Sequence, residues 1–147
     1  MKLSENIINK IIDEINVKSQ QRVVNNSCSY TKIYFERNND KWIFDEIEFL
    51  LPKEFHLTDH FRGCKYIEGD FMDEHRDGDY AHADLSGGVL LNSEYEGGEF
   101  MFGSEKLKAE VGEIFTFGRN VLHNINEVKK GIRYSLHFHI MKEKSVL

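Results

Sequence analysis

Residues 131–141 read GIRYSLHFHIM, and this stretch decides the fold. In an extended strand, successive side chains point to opposite faces, so the stretch divides into two sets. The apolar set is Ile132, Tyr134, Leu136, Phe138 and Ile140. The second set is mostly polar: Arg133, Ser135, His137, His139 and Met141. Because buried polar and charged groups are costly unless they meet partners, the alternation predicts a strand with one face in the core and the other lining a wet, functional cavity.

Short strands with glycine turns precede this stretch. Apolar runs punctuated by glycines predict strands over 62–68, 86–92, 98–102, 106–109, 112–117 and 121–126. No helical periodicity separates these runs. Short strands joined by turns, without intervening helices, indicate an antiparallel sandwich or barrel.

The N-terminal part of the chain begins with a helical pattern. Isoleucines at spacings of three and four predict an amphipathic helix over residues 4–18: Ile7, Ile8, Ile11, Ile12 and Ile15. Ser4 is the expected N-cap, with Leu3 and Ile8 packing across it. We expect this helix to cover one face of the sheet.

The segment after the helix predicts further strands. Residues 29–37 and 41–49 carry aromatic and β-branched side chains, and the Asn-Asn-Asp turn at 38–40 separates them. This arrangement predicts a β-hairpin. Residues 50–58 contain the only proline, Pro52, and predict a loop or a short helix.

The overall composition bounds the class of protein. A chain of 147 residues fits a single domain spanning 1–147. The net charge of −6 gives no general attraction to a phosphate backbone, so duplex nucleic acid is not an expected partner. The first twenty residues contain no apolar signal segment, and no run reaches the length of a membrane span. We therefore expect a cytoplasmic protein in which Cys28 and Cys64 are reduced thiols.

Two histidines and an aspartate predict a metal site. His75 and Asp77 are two residues apart, so in an extended segment they point to the same side and can share one ion. His123, at the start of a predicted strand, is the expected third ligand. Two histidines and one carboxylate on one face of an ion leave open positions, the arrangement of non-haem iron(II) oxygenases. His82 and Asp84 form a second pair with the same spacing and are the alternative ligands.

The final strand adds a binding site for an acidic co-substrate. The open metal positions accept a chelating 2-oxo acid and O₂, and the far carboxylate of that acid needs a cation. Arg133 lies on the polar face of the strand, and its guanidinium can grip a carboxylate with two hydrogen bonds. Ser135, on the same face, can donate another. His137 and His139 are expected either to contact the metal ligands or the substrate, or to be polar residues that are simply satisfied within the fold.

These residues stand in an order that resembles the prolyl 4-hydroxylase-like family of iron(II) and 2-oxoglutarate oxygenases. The resemblance covers residues 62–141. It rests on a series of short motifs: Tyr66, Gly69-Asp70-Phe71, His75-x-Asp77, Asp84-Leu85-Ser86, Val89-Leu90-Leu91-Asn92, YEGGEF at 95–100, Gly112-Glu113-Ile114, His123 and Gly131-Ile132-Arg133-Tyr134-Ser135. Many members of the family carry lysine where this chain has Arg133.

The resemblance implies a mostly β (α+β) fold, with a double-stranded β-helix (jelly-roll) core over about 29–141 behind the N-terminal packing helix. It implies Fe(II), 2-oxoglutarate and O₂ as cofactor and co-substrates, with ascorbate as reductant, and Tyr66 in the co-substrate pocket. The implied reaction hydroxylates an unactivated C–H bond of a peptidyl prolyl or other amino-acid residue and releases succinate and CO₂.

A cupin-like metal protein that does not use 2-oxoglutarate is the alternative. Gly112 and His123 have the spacing of the second cupin motif, but Gly118 and Asn120 replace its expected proline and glycine. The first cupin motif, an HxH with a following glutamate, is absent. A non-catalytic binding module on the same fold is a further alternative, which the intact ligand set and Arg133 disfavour.

Overall fold

The computed structural model describes residues 2–78 and 82–142. Within these ranges the helices are α1 (Glu5–Val17) and α2 (Lys41–Leu50), and neither is long and apolar enough to cross a membrane. The strands are β1 (Gln21–Val24), β2 (Cys28–Glu36), β3 (Phe55–Leu57), β4 (His60–Tyr66), β5 (Phe71–His75), β6 (Leu85–Leu90), β7 (Tyr95–Gly97), β8 (Phe100–Phe102), β9 (Glu105–Lys106), β10 (Ile114–Gly118), β11 (His123–Ile125), β12 (Val128–Gly131) and β13 (Arg133–Lys142).

Most of these strands form one curled antiparallel sheet. Its order is β10-β6-β13-β4-β2-β5-β11-β8-β9, with β1 paired to β2 and β3 paired to β13, while β12 and β7 form a separate pair. The two ends of the order meet. Phe117 in β10 packs against Phe100 and Phe102 in β8, with ring centroids 5.7 and 5.5 Å apart. This closure confirms the predicted mostly β, jelly-roll fold.

The two faces of β13 divide the molecule into a core and a cavity. Paired residues of neighbouring strands project to the same face. Leu136 pairs with Gly63 of β4 and Val89 of β6, and this face belongs to the main apolar core. Arg133 pairs with Tyr66 on the opposite face, which is turned inward by the curl. The alternation predicted for the last strand is therefore confirmed.

The helices cover the apolar face of the sheet. Ser4 caps α1, where its Oγ accepts a hydrogen bond from the Ile7 backbone N–H at 3.3 Å. Ile11 and Ile15 of this helix are completely buried. They meet apolar side chains of four strands: Ile33, Phe35, Phe61, Val89, Leu136, Phe138 and Ile140. The predicted N-terminal packing helix is confirmed.

The predicted hairpin over 29–37 and 41–49 is wrong in its second half. Residues 41–50 form α2, whose buried side chains Ile43, Phe44 and Ile47 lie at helical spacing. Phe49 is 79% exposed, so it adds nothing to an inner strand face. The Asp40 carboxylate accepts a hydrogen bond from the Glu36 backbone N–H at 2.9 Å, and this contact turns the chain out of β2 and into the helix.

Smaller differences between prediction and structure concern two short strands and the start of the last strand. The segment 50–58, predicted as a loop or short helix, contributes β3, which pairs with the end of β13. Residues 71–75, whose charges hide any alternation, form β5 between β2 and β11. Ile132, assigned to the apolar face, is 38% exposed because it precedes the first residue of β13.

Replacing Ile15 tests the packing of α1 on the sheet. We expect Ile15→Ala to lower the free energy of unfolding by about 2–5 kcal/mol, since it leaves a cavity in a closed core. Val17→Ala is the matched control, because Val17 lies on the same helix and is 76% exposed. Its effect should stay within about 0.5 kcal/mol. Urea denaturation followed by circular dichroism measures both, and equal effects of the two changes would contradict the packing described.

Candidate functional site

Two neighbouring strands place the first pair of histidines. His75 ends β5 and His123 begins β11, and the two residues face each other in the antiparallel ladder. Their ring centroids are 4.3 Å apart. His123 packs against the rings of Phe100 and Phe117, and only 2% of its side chain is exposed. The fold therefore holds two imidazoles side by side, one of them in rigid aromatic surroundings.

Asp77 completes this cluster from the segment that follows β5. Its Oδ1 lies 3.5 Å from His75 Nε2 and 3.3 Å from His123 Nε2. The three side chains offer ligand atoms within 4.8 Å of one another. The carboxylate is 7% exposed. The structure therefore brings together the three residues that the sequence predicts as metal ligands.

Backbone carbonyls fix which nitrogen of each histidine faces Asp77. His75 Nδ1 lies 2.8 Å from the Asp73 carbonyl oxygen, and His123 Nδ1 lies 2.9 Å from that of Val121. A carbonyl oxygen only accepts, so Nδ1 carries the proton. In the neutral ring, Nε2 then presents a lone pair to the space beside Asp77. Such a backbone partner orients metal-binding histidines, and the donor set fits an iron(II) ion.

Both oxygens of Asp77 have polar partners. Ser86 Oγ donates a hydrogen bond to Oδ2, and His137 Nε2 lies 3.5 Å from the same oxygen. Burial disfavours the ionised carboxyl, but the interactions with the three surrounding histidine rings outweigh this and hold the pKa of Asp77 well below its ordinary value. Asp77 is therefore ionised at neutral pH, as a metal ligand must be.

His137 and His139 lie on the other side of Asp77. They alternate along β13 and their ring centroids are 5.1 Å apart. With Asp77 they form a second group of ligand atoms within 4.8 Å of one another. Burial lowers the pKa of both imidazoles, to about 4 for His139. Both rings are therefore neutral at neutral pH, next to the three predicted ligands.

Arg133 lies farther along the same face of β13. Only 1% of the residue is exposed. Its Nε donates to the Gly98 carbonyl oxygen at 2.9 Å, and its Nη1 donates to Ser135 Oγ at 2.8 Å. The Tyr66 ring lies 5.3 Å from the guanidinium carbon. Among the described residues no carboxylate pairs with Arg133. A buried guanidinium without an acid is costly, so this position is suited to a carboxylate ligand.

Most of the predicted site residues line one narrow pocket: Tyr66, His75, His123, Arg133, Ser135 and His137. A larger cavity of about 470 Å³ adjoins it, and its lining includes Asp77 and His139 as well as His75 and His137. The predicted metal ligands and the buried arginine therefore open onto connected space.

The alternative ligand pair is placed elsewhere. His82 is exposed, and Asp84 Oδ2 accepts a hydrogen bond from the Lys142 backbone N–H at 2.7 Å, where β6 begins and β13 ends. Neither residue belongs to a metal-ligand group among the described parts of the chain. The geometry favours His75 and Asp77 over this pair.

Sequence reasoning missed two cations that face the larger cavity. Arg62 lies four residues before Tyr66 on β4, and Lys32 lies on β2. The signal available was the alternation of Arg62, Cys64 and Tyr66 along one strand. Assigning them to the cavity, however, requires the register between β4, β2 and β13, which no local pattern gives.

No protein-family model and no curated protein matches the chain. Its structure is similar to a Pseudomonas putida prolyl-4-hydroxylase, with a TM-score of 0.71 and 14% identity over 97% of this chain and 89% of that one. An oxidoreductase of the 2OG-Fe(II) oxygenase family from Burkholderia pseudomallei gives a TM-score of 0.68 and 12% identity, covering 95% of this chain and 80% of that one.

A third similar structure is the viral collagen prolyl hydroxylase vCPH from Paramecium Bursaria Chlorella virus-1, in a 2OG complex. Its TM-score is 0.61 at 18% identity, covering 94% of this chain and 91% of that one. At these identities the likeness shows a shared fold. It confirms the jelly-roll that the sequence resemblance implied, while activity has to be argued from the site itself.

Removing the carboxylate of Asp77 tests the metal site. We expect Asp77→Ala to weaken Co(II) binding by more than about 100-fold, because losing a ligand costs more than losing its outer partners, which typically costs 10–100-fold. His82→Ala is the matched control from the alternative pair and should bind Co(II) normally. Calorimetric titration measures both, with circular dichroism to verify folding. Normal Co(II) binding by a folded Asp77→Ala protein would remove Asp77 from the site.

Proposed function

We propose that this chain is an iron(II)- and 2-oxoglutarate-dependent dioxygenase that hydroxylates an unactivated C–H bond. The observation that carries the proposal is the pairing of two features in connected space. A two-histidine, one-carboxylate group lies beside a pocket that ends in a buried arginine without an acid partner. Together they match what a metal chelated by a 2-oxo acid requires.

His75, Asp77 and His123 would hold the metal. When bound there, Fe(II) supplies the redox chemistry by which O₂ and 2-oxoglutarate give succinate, CO₂ and a hydroxylated product. The two Nδ1–carbonyl contacts keep both imidazoles turned toward the ion. The low pKa of Asp77 keeps its carboxylate ionised, so no proton competes for this ligand at neutral pH.

Arg133 would bind the far carboxylate of 2-oxoglutarate. Its Nε and Nη1 are held by Gly98 and Ser135, so the guanidinium is already oriented before a ligand arrives. Gly98 permits this approach, since a Cβ there would lie 3.1 Å from Arg133 Cδ. The Tyr66 ring beside the guanidinium supports its position. The pocket has about 30 Å³ of free space, so 2-oxoglutarate enters it only as lining side chains move.

Apolar side chains surround this pocket and limit the entry of water. They come from four strands: Met72, Phe100, Phe115 and Ile125. Charge pairs are stronger where water is excluded, which favours an Arg–carboxylate contact here. Exclusion of water also protects reactive species formed during turnover from side reactions.

The substrate of the proposed reaction is an amino-acid residue of a peptide or protein, or a free amino acid. Peptidyl proline is the first candidate, because two proteins of the same fold are a prolyl-4-hydroxylase and a collagen prolyl hydroxylase. The net charge of −6 disfavours duplex nucleic acid. The larger cavity beside the metal ligands is where such a substrate would enter.

Cofactor dependence tests the reaction class. We expect succinate to form from 2-oxoglutarate only when Fe(II) and O₂ are both present, with ascorbate sustaining turnover and chelators stopping it. Zn(II) and Ni(II) should occupy the same ligands and give inert protein. Mass spectrometry of succinate is the measurement. If iron-loaded protein binds no 2-oxoglutarate at millimolar concentration and forms no succinate, the cupin-like alternative takes the place of this proposal.

The role of Arg133 has its own test. We expect Arg133→Ala to weaken 2-oxoglutarate binding by about 2–5 kcal/mol, the usual cost of breaking a buried charge-assisted pair. Lys130→Ala removes an exposed positive charge on β12 and serves as control. Anaerobic titration of the Fe(II) protein, followed by its metal-to-ligand charge-transfer band, gives the dissociation constants. An unchanged midpoint in Arg133→Ala would exclude Arg133 from the co-substrate site.

A further inference from the structure

Two cations on neighbouring strands face the cavity beside the metal ligands. Arg62 of β4 pairs with Tyr34 of β2 on one side and with His137 of β13 on the other. Lys32 lies on the same face, two residues from Tyr34 along β2. Arg62 and Lys32 are therefore diagonal neighbours, and both line the cavity of about 470 Å³.

The partners of these cations are phenols. Arg62 Nη1 donates to the Tyr30 hydroxyl at 2.8 Å, and Lys32 Nζ donates to the Tyr34 hydroxyl at 2.8 Å. Among the described residues neither cation forms an ion pair with a carboxylate. A neutral hydroxyl accepts a hydrogen bond but leaves the positive charge uncompensated.

Other basic side chains of the chain are paired differently. Arg22 makes a two-pronged contact with Asp70, at 2.7 and 2.5 Å. Arg37 contacts Glu48 through two nitrogens, at 2.8 and 3.1 Å. The fold therefore supplies acids to these two arginines, whereas Arg62, like Arg133 and Arg76, has no carboxylate partner among the described residues.

The acids that line the cavity are engaged or lie at its rim. Asp77 contacts three histidines and Ser86, so it is occupied by the metal-ligand cluster. Asp73 and Glu74 lie on β5 with exposed side chains and make no ion pair with Arg62 or Lys32. Two half-buried cations that face each other diagonally repel, and a bound anion would relieve both the repulsion and the missing compensation.

Arg62 also lies close to the proposed reaction centre. It lines both the larger cavity and the narrow pocket, together with His75 and His137. An anion held by Arg62 would therefore share this space with the metal ligands. Arg133 already provides a separate, more deeply buried position for the far carboxylate of 2-oxoglutarate.

We propose that Arg62 and Lys32 bind a carboxylate of the substrate, so that the substrate is a free amino acid or an acidic side chain of a peptide. This inference rests on the proposed dioxygenase function and narrows its substrate class to molecules that carry a carboxylate, in place of neutral peptidyl proline. A guanidinium fork and a nearby ammonium provide the geometry and charge that a carboxylate requires. A neutral peptidyl proline would leave both cations without compensation.

Binding of small probes to Mn(II)-loaded protein tests this site without requiring turnover. The probes are the free L-amino acids, the same amino acids as C-terminal amides, and tripeptides blocked at both ends with a central Glu or Asp. Enhanced proton relaxation of a probe reports its binding close to the metal. We expect at least one probe with a carboxylate to be relaxed while its amide is not. Free acids and blocked tripeptides distinguish the two sources of the carboxylate.

Variants assign the binding to the two cations. We expect Arg62→Gln to weaken binding of the carboxylate probe by about 10–100-fold, the loss typical of a charge-assisted hydrogen bond. Arg62→Lys should restore part of it, and Lys32→Gln should weaken it without touching Tyr30. Tyr30→Phe removes the phenol partner but keeps its ring. Lys65→Gln removes a positive charge from the opposite face of β4 and should have no effect.

The outcomes separate this inference from the proposed function. It is overturned if no carboxylate probe binds, or if acids and amides bind equally. It is also overturned if binding survives in Arg62→Gln, because the probe would then be coordinating Mn(II) directly. The inference also fails if Arg62→Gln weakens the binding of 2-oxoglutarate about as strongly as Arg133→Ala does. Arg62-dependent probe binding in a protein that forms no succinate would support the carboxylate site while the dioxygenase proposal fails.

Discussion

The alternation of side chains along β13 is the constraint on which the rest of the structure depends. This strand pairs with both β4 and β6, so its register is fixed from two sides. Leu136 and Phe138 pack the sheet against the helices, while Arg133 and His137, on the opposite face of the strand, line the pocket. A slip by one residue would bury the polar set in the core and expose the apolar set. The free energy of the apolar core therefore also holds the polar residues at their positions in the site.

Charge in the interior is arranged in two unequal groups. Asp77 is surrounded by histidines and accepts a hydrogen bond from Ser86, and these contacts compensate its burial. Arg133 and Arg62 have only neutral acceptors, which leaves their charges uncompensated in a region of low exposure. Such groups are tolerated where the rest of the fold is stable enough to hold them. Anionic ligands would remove this penalty, so their binding is favoured before any specific contact to the reacting atoms is considered.

Features that depend on local residue spacing could be predicted from the sequence. Features that depend on pairing between strands distant in the sequence could not. The strand of Arg133, the two-residue spacing of His75 and Asp77, and the N-terminal helix all follow from periodicity. The sequence predicts a strand over residues 41–49 because their aromatic side chains suit either state; burial against the sheet selects the helix that the structure has there. Arg62 was missed because its face is known only once β2, β4 and β13 are aligned.

The two halves of the site come from distant positions in the sheet. The predicted metal ligands belong to β5, β11 and the segment after β5, whereas the arginine sites belong to β13 and β4, and only the curl of the sheet brings the halves together. Phe117 contacts both Phe100 and His123, so the contact that closes the sheet also supports a predicted ligand. An ion bound by His123 and Asp77 would hold the same closure from inside. Because such a ligand binds the folded state alone, its free energy of binding adds to the stability of the fold. An ion at these ligands would therefore stabilise the closed jelly-roll relative to the unfolded chain.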